Sequence, residues 1–324
     1  MIRAENLKKD YIVKVGKGIK KEKQVIHAVK DISLQIEKGK IVGLLGINGA
    51  GKTTTMKMLT TLLAPTAGTY FMEDIDAVKY PMEIKKRINM IAGGERMIYW
   101  RLTAYENLWY YGQLYNVPNH ILKDRIEELL VLVGLEGKQD IPVETFSKGM
   151  KQRLQIARGL INDPEYLFLD EPTIGLDAVV SKELRGHIKY LAKEKKKGLL
   201  LTSHYMKEIE ELCDYIYILS NGRLIKKGTV KELAEDTFNR KDYVLKLYEH
   251  EEFVPGYLEE KLRCFDPTII VSTNQEGIYI NSSENISLEL SRLCTQERLF
   301  IREMYEKEPL LEDTILQLSK EVAR

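Results

Sequence analysis

The sequence predicts an α/β core built on a mainly parallel sheet, followed by a small α+β module. Three observations point there. A glycine-rich turn, GINGAGKT at residues 46–53, joins a short apolar run to a segment of helical character. Two later runs, Tyr166-Leu167-Phe168-Leu169 and Leu199-Leu200-Leu201-Thr202, are continuously apolar. Strands buried on both faces of a parallel sheet read that way. Around residues 235–241 the apolar pattern lapses, then resumes as short strands interleaved with helices.

The elements follow in order. Residues 2–7, 25–29 and 32–36 are short and rich in β-branched side chains, and predict strands. The lysine-rich stretch 14–23 between them predicts a solvated loop. The turn at 37–40 feeds a buried strand over 41–45, and residues 54–63 predict the helix behind the glycine turn. From Pro81 to Pro164 apolar residues recur at three- and four-residue spacing, for example Ile126, Leu129, Leu130 and Val133, so this region reads as mostly helical. Asn221-Gly222 predicts a tight hairpin between strands at 215–219 and 223–228. A domain boundary is placed where the apolar pattern lapses around 235–241, giving a first domain 1–235, a linker 236–241 and a second domain 242–324. In the second domain, strands are expected at 243–248, 268–272, 278–281 and 298–305. Its helices are expected at 255–264, 286–295 and 310–321.

Composition narrows the function. The 324 residues are 44% apolar and 30% charged, with a net charge of +1, so nothing pulls the chain generally toward nucleic acid or an anionic membrane. No stretch reaches the roughly 18 apolar residues of a membrane span. The N-terminus lacks the charged-then-apolar order of a signal peptide. Cys213, Cys264 and Cys294 are scattered without metal-ligand spacing. The expectation is a reduced, cytoplasmic protein whose membrane role would need a separate spanning chain.

The chemistry starts at the glycine turn. It fits G-x-x-x-x-G-K-[ST], a loop whose backbone N–H groups cradle phosphates because Gly46, Gly49 and Gly51 permit unusual dihedrals. Lys52 then reaches the β- and γ-phosphates and the Thr53 hydroxyl ligates Mg²⁺. The run ending Leu169-Asp170-Glu171 places two carboxylates at a strand end. Asp170 is placed to hold Mg²⁺ through water, and Glu171 to take a proton from an attacking water.

With FSKGMKQR at 146–153 ahead of that pair, the chain resembles the ATP-binding cassette family, the nucleotide-binding subunits of ABC transporters. The resemblance covers residues 1 to about 235. GINGAGKTT at 46–54 looks like the Walker A loop, which assigns Gly46, Asn48, Gly49, Ala50, Gly51, Lys52, Thr53 and Thr54 to the nucleotide. FSKGMKQR looks like the family signature and YLFLDEP at 166–172 like Walker B with its catalytic glutamate. GLD at 175–177 resembles the D-loop with Asp177, and TSH at 202–204 the switch histidine, His204. The resemblance implies a P-loop NTPase core with an antiparallel β subdomain and a helical subdomain near 81–164. It further implies that ATP and Mg²⁺ lie between two cassettes. In that arrangement Ser147, Lys148, Gly149 and Met150 face the ATP of the opposite chain. Tyr11 is the candidate for stacking on adenine.

One departure stands out. Most members carry a glutamine where the core meets the helical subdomain, and here the stretch reads Ile91-Ala92-Gly93-Gly94-Glu95-Arg96. That metal contact is not carried over, and Glu95 is the nearest polar group. Residues 93–108 and the ending 308–313 (EPLLED) resemble exporters of drugs, polysaccharides or lantibiotics. Tyr99, Trp100, Trp109, Tyr110 and Tyr111 are expected both to receive a membrane subunit and to pack within the helical subdomain, with Tyr99 and Trp100 on the receiving side. The expectation is an ATPase at the cytoplasmic face of the membrane, paired with a second cassette and a membrane-spanning permease, with no nucleic-acid partner. An importer ATPase, a soluble cassette without transport, and an ATP-holding regulator are the alternatives.

Overall fold

The computed structural model describes residues 1–15, 22–92, 97–203, 205–237, 241–248, 255–274 and 277–307. The expected switch histidine His204, the 93–96 stretch with Glu95, most of the lysine-rich loop and the 308–324 ending lie outside the described residues. The chain divides into two compact units, the first running Met1–Val230 and the second beginning at Lys231.

The first unit opens with two long strands, β1 (Ile2–Val15) and β2 (Glu22–Ile36), paired antiparallel. The runs at 25–29 and 32–36 are therefore one strand, not two. Then come β3 (Ile41–Gly46), α1 (Lys52–Leu59), β4 (Ala67–Met72) and β5 (Ile75–Asp76). Helix α1 starts two residues earlier than expected and stops sooner, just before Thr61 takes a φ of 56°. Strands β4 and β5 form the antiparallel edge beside β1 and were not expected.

The 81–164 region holds α2 (Pro81–Arg87), β6 (Ile88–Ala92), α3 (Ala104–Leu114), α4 (Asn119–Leu132) and α5 (Lys148–Leu160). The mostly helical reading is corrected at β6, which adds a parallel strand to the main sheet beside β7 (Tyr166–Asp170). Helix α5 lies close enough to β6 that a Cβ on Gly159 would fall 2.5 Å from the Ile91 side chain. The buried Arg158 reinforces this contact by donating to the Met90 carbonyl at 2.6 Å. The unit closes with α6 (Ala178–Lys193), β8 (Gly198–Thr202), α7 (Met206–Leu212), β9 (Tyr215–Ser220) and β10 (Arg223–Gly228), and α8 (Val230–Thr237) starts at its last residue and runs into the second unit. The β9–β10 turn is as expected: Asn221 and Gly222 take φ of 47° and 76°, the left-handed pair of a hairpin turn that matches strand twist.

The strands form one ten-stranded sheet, β5-β4-β1-β2-β10-β9-β3-β8-β7-β6. The block β9-β3-β8-β7-β6 is parallel, and β3, β7 and β8 are buried almost throughout, as their apolar runs require. In such sheets, ligands bind outside the carboxyl ends of the strands. Those ends here are Gly46, Asp170 and Thr202.

The second unit contains β11 (Lys241–Leu247), α9 (Pro255–Leu262), β12 (Ile270–Asn274), β13 (Gly277–Ser282), α10 (Ser287–Gln296) and β14 (Ile301–Lys307). Its sheet runs β12-β13-β11-β14 with every neighbour antiparallel. This is a split βαβ arrangement. Tyr243, Leu245, Leu258, Ile280 and Leu290 share its core. Asp266 fastens the entry to β12: it accepts from the Thr268 hydroxyl at 2.7 Å, the Thr268 and Ser283 N–H groups, and the Ser282 hydroxyl. These bonds hold its carboxyl far below the usual carboxylate range.

Candidate active site

The loop between β3 and α1 is shaped by glycine. Gly46, Gly49 and Gly51 take φ of 149°, 82° and 103°, as the motif required. At Gly46 a Cβ would collide with the Leu219 carbonyl, and at Gly51 it would lie 2.8 Å from the Ala28 carbonyl. The loop is also braced from outside. Gly222 N–H, in the β9–β10 turn, donates to Ala50 O at 3.1 Å, and Lys30 N–H donates to Gly222 O at 2.7 Å. Helix α1 has no side-chain cap, so its first N–H groups keep their capacity for an anion.

Lys52 is only 8% exposed, and its Nζ donates to the Gly46 and Ile47 carbonyls at 2.5 and 3.2 Å. Burial lowers its pKa, while the nearby negative charges of Glu171 and Asp170 oppose that fall. The lysine therefore lies within electrostatic reach of both carboxylates that the sequence singled out. Thr53 is exposed beside it and Thr54 half-buried, while Asn48 is exposed at the loop crest above a buried Ala50.

Asp170 ends β7 directly opposite Thr202 on β8. The Thr202 hydroxyl donates to Asp170 Oδ1 at 2.6 Å and accepts from the Glu171 N–H at 3.2 Å. Thr202 O accepts from the same N–H at 3.0 Å. One fully buried threonine thus fixes both acidic residues. Glu171 itself takes φ 51°, a left-handed conformation that is costly for a side chain of this kind. Sequence reasoning placed Thr202 only as a neighbour of His204. Its role needs the β7–β8 register, which no local pattern reports.

Beyond Glu171 the chain makes a short turn to Asp177, whose side chain caps α6 by accepting from Val180 N–H at 2.9 Å. The 147–150 turn packs onto this segment. Gly149 faces Val180, where an added Cβ would lie 3.1 Å from the valine methyl, and a side chain at Gly175 would run into Lys148 Nζ. Ser147 caps α5 by accepting from Met150 N–H at 3.2 Å. Ser147 and Lys148 are exposed, and Gly149 and Met150 half-buried.

Tyr11 lies on β1 opposite Ile26, 36% exposed, with Lys9 Nζ 5.7 Å from its ring centre. The aromatic cluster divides. The Tyr111 hydroxyl donates to Met97 O at 2.7 Å and its ring faces the buried Arg158, while Trp109 stacks on Tyr105. Tyr99 and Trp100 are about half exposed, the latter under Lys151 Nζ at 4.4 Å. Packing and an open surface therefore coexist there. No group of three or more potential metal-ligating side chains occurs among the described residues. The Thr53 hydroxyl and the Asp170 carboxylate are hard oxygen donors, which fits a divalent ion that keeps most of its waters.

The chain is similar to known proteins in sequence and in fold. The family model described as "ABC transporter" matches residues 29–174. The ABC transporter ATP-binding protein NatA of Bacillus subtilis is 45% identical over 214 residues, which are 66% of this chain and 87% of that protein. The bacitracin transport ATP-binding protein BcrA of Bacillus licheniformis is 35% identical over 90% of this chain and 92% of its own length. A methionine import ATP-binding protein of Bacillus cereus, MetN 2, is 36% identical over 209 residues, or 63% of this chain and 61% of that protein. Among solved structures, the ATP-binding cassette MJ0796, a dimer in a post-hydrolysis state bound to ADP and Pi, superposes with a TM-score of 0.62. It is 25% identical, covering 71% of this chain and 98% of that one.

Proposed function

The chain belongs to the ABC transporter ATP-binding family, whose members hydrolyse ATP, and from that premise we propose that it powers a membrane exporter as one of two cassettes closing on ATP. The observation that carries the reading is that the Lys52 loop after β3 and the acids Asp170 and Glu171 at the end of β7 stand at the carboxyl ends of one parallel block, with Thr202 holding both acids.

Each residue then has a task. The N–H groups of 46–54, Asn48 and the start of α1 hold the phosphates. Lys52 leaves its carbonyl partners for the β- and γ-oxygens. Thr53 and Asp170 would hold Mg²⁺, which when bound neutralises phosphate charge. Glu171 takes the proton of the attacking water as the bond from the γ-phosphorus to ADP breaks, leaving ADP and phosphate. Tyr11 offers a ring to adenine. Ser147, Lys148, Gly149 and Met150 face the ATP of the second cassette, Asp177 lies at the seam, and His204 senses the γ-phosphate.

No helix among the described residues is long and apolar enough to cross a membrane, and this reading assigns the spanning part to a partner chain. Half-exposed Tyr99 and Trp100 suit its docking, since aromatic rings bury much area with few rotamers. Export is supported by the likeness of residues 93–108 to drug and lantibiotic exporters and by the similarity to BcrA over nearly the whole chain. The likeness to MetN 2 makes an importer the second reading.

The decisive variant is Glu171→Gln. Turnover should fall about a hundredfold or more, while ATP still binds and drives a dimer visible by light scattering. Normal turnover would remove Glu171 as the base. Isolation from membranes should bring a multi-span partner, and vesicle assays with that complex decide the direction of transport.

A further inference from the structure

Glu208 is a buried carboxylate that the hydrolysis scheme leaves without a task. It stands in the first turn of α7 and is 3% exposed. Its Oε2 accepts from two hydroxyls on different loops. Thr173, two residues past Glu171, donates at 3.0 Å, and Ser203, beside position 204, donates at 2.5 Å. The Ser203 oxygen in turn accepts from Tyr205 N–H at 3.1 Å, closing the loop onto the helix. The other carboxylate oxygen, Oε1, is buried with no hydrogen-bond partner among the described residues.

This arrangement is costly for a mere packing contact. A carboxylate removed from water destabilises a fold unless its partners compensate, and here one oxygen has none. Burial raises its pKa against the pull of the Ser203 and Thr173 hydroxyls and of Arg185. The arrangement also lies where precision matters. Glu171 is held in a left-handed conformation, with its N–H fixed from one side by Thr202. Thr173 is the next hydrogen-bonded anchor along the turn, and its own carbonyl accepts from Leu176 N–H at 3.1 Å. Remove the Glu208 contact and that turn loses its hydrogen bond to the element that also holds Ser203.

We propose that Glu208 is a positioning residue that fastens the turn after Glu171 to the 203–205 loop, so that the general base and the switch loop move as one body. The inference rests on Glu171 being the base. It predicts a specific kinetic pattern. Glu208→Ala should lower kcat about ten- to hundredfold, the cost of an ångström-scale misplacement of a catalytic group. KM for ATP should stay within about twofold, because the phosphate loop has its own brace at Gly222. Glu208→Gln keeps an acceptor for both hydroxyls and should restore kcat to within about threefold of the parent. Thr173→Val should reproduce part of the loss, and the Glu208→Ala/Thr173→Val pair should be no worse than Glu208→Ala alone.

The measurement is steady-state ATPase kinetics on the full chain, with circular dichroism and melting curves for each variant and Glu171→Gln as a control. Unchanged kcat in folded Glu208→Ala, or additive losses in the pair, overturns the proposal. If Glu208→Ala does not fold, unchanged kcat in Thr173→Val overturns it equally. Turnover retained by Glu171→Gln would instead overturn the underlying assignment of the base.

Discussion

Residues 46–53 and residues 147–150 each open a helix toward solvent, yet they are built in opposite ways. The first is preceded by a left-handed glycine and has no side-chain cap, so its N–H groups remain available. The second spends one N–H on its own Ser147 and leaves Ser147 and Lys148 exposed. The first is tied to the sheet through Gly222 and has Lys52 lying across it. The second leans on the first turn of α6 through Gly149 and Val180. The contrast teaches that an anion site can be finished inside one chain or left as a face. A finished site must bury its cation and fix its backbone. A face needs only a capped helix with its start uncovered, which is what the proposed second cassette would meet.

The largest break in this comparison is Lys52→Ala. Removing the buried cation should weaken ATP binding by about 2 kcal/mol, roughly thirtyfold, and suppress turnover further. Calorimetric titration and a phosphate-release assay read the two effects. If ATP affinity survives, the 46–53 loop is not the finished half. Ser147→Ala should be milder and differently placed. It should leave ATP affinity of the isolated chain within about twofold while weakening ATP-driven dimers of the Glu171→Gln background about fivefold, near the 1 kcal/mol of one cap bond. Equal losses in binding and dimerisation would erase the distinction between the halves.

The smallest effect should come from the far end of β7, where Glu165 accepts from Arg87 Nε at 2.5 Å and Nη2 at 2.9 Å, and pairs with Lys38 at 2.6 Å. The bonds from Arg87 foremost bring its pKa down to about 2. A carboxyl depressed in the folded state stabilises the fold above the ordinary carboxylate pKa, and that contribution is lost as pH falls through the folded value. Glu165→Gln should therefore cost about 1 kcal/mol at pH 7, after allowance for partial exposure. The gap from the parent should close between about pH 4.5 and pH 2 in melting experiments. Neither ATP binding nor dimerisation should move. A change in either would mean that the two ends of the sheet are coupled.

Much of this was legible along the chain. Continuous apolar runs marked β7 and β8, because a strand covered on both faces has no polar side to show. Asn221-Gly222 marked its hairpin because few residue pairs tolerate two left-handed positions. The phosphate loop declared itself through three glycines whose φ values no side chain would accept readily. What stayed hidden depends on pairing. Ile88-Asn89-Met90-Ile91-Ala92 is short and sits among helices, and only contact with β7 and α5 makes it a strand. Strands β4 and β5 lack a continuous apolar run, since one face of that edge is open. Thr202 and Glu208 acquire their roles from residues about 30 positions upstream. The split βαβ order of the second unit is likewise a matter of which strands are neighbours, and spacing along the chain does not encode it.

The backbone at Glu171 has a consequence for the history of such a chain. A left-handed conformation costs an ordinary residue about 1–2 kcal/mol that glycine escapes. Drift under selection for folding alone would favour glycine at this position, and each such replacement would yield a sturdier protein without the proposed base. Under the proposed assignment, selection for turnover and not for folding would keep the glutamate. A cassette that has ceased to hydrolyse ATP should therefore betray its retirement first at this residue, and should melt at a higher temperature than its working relatives.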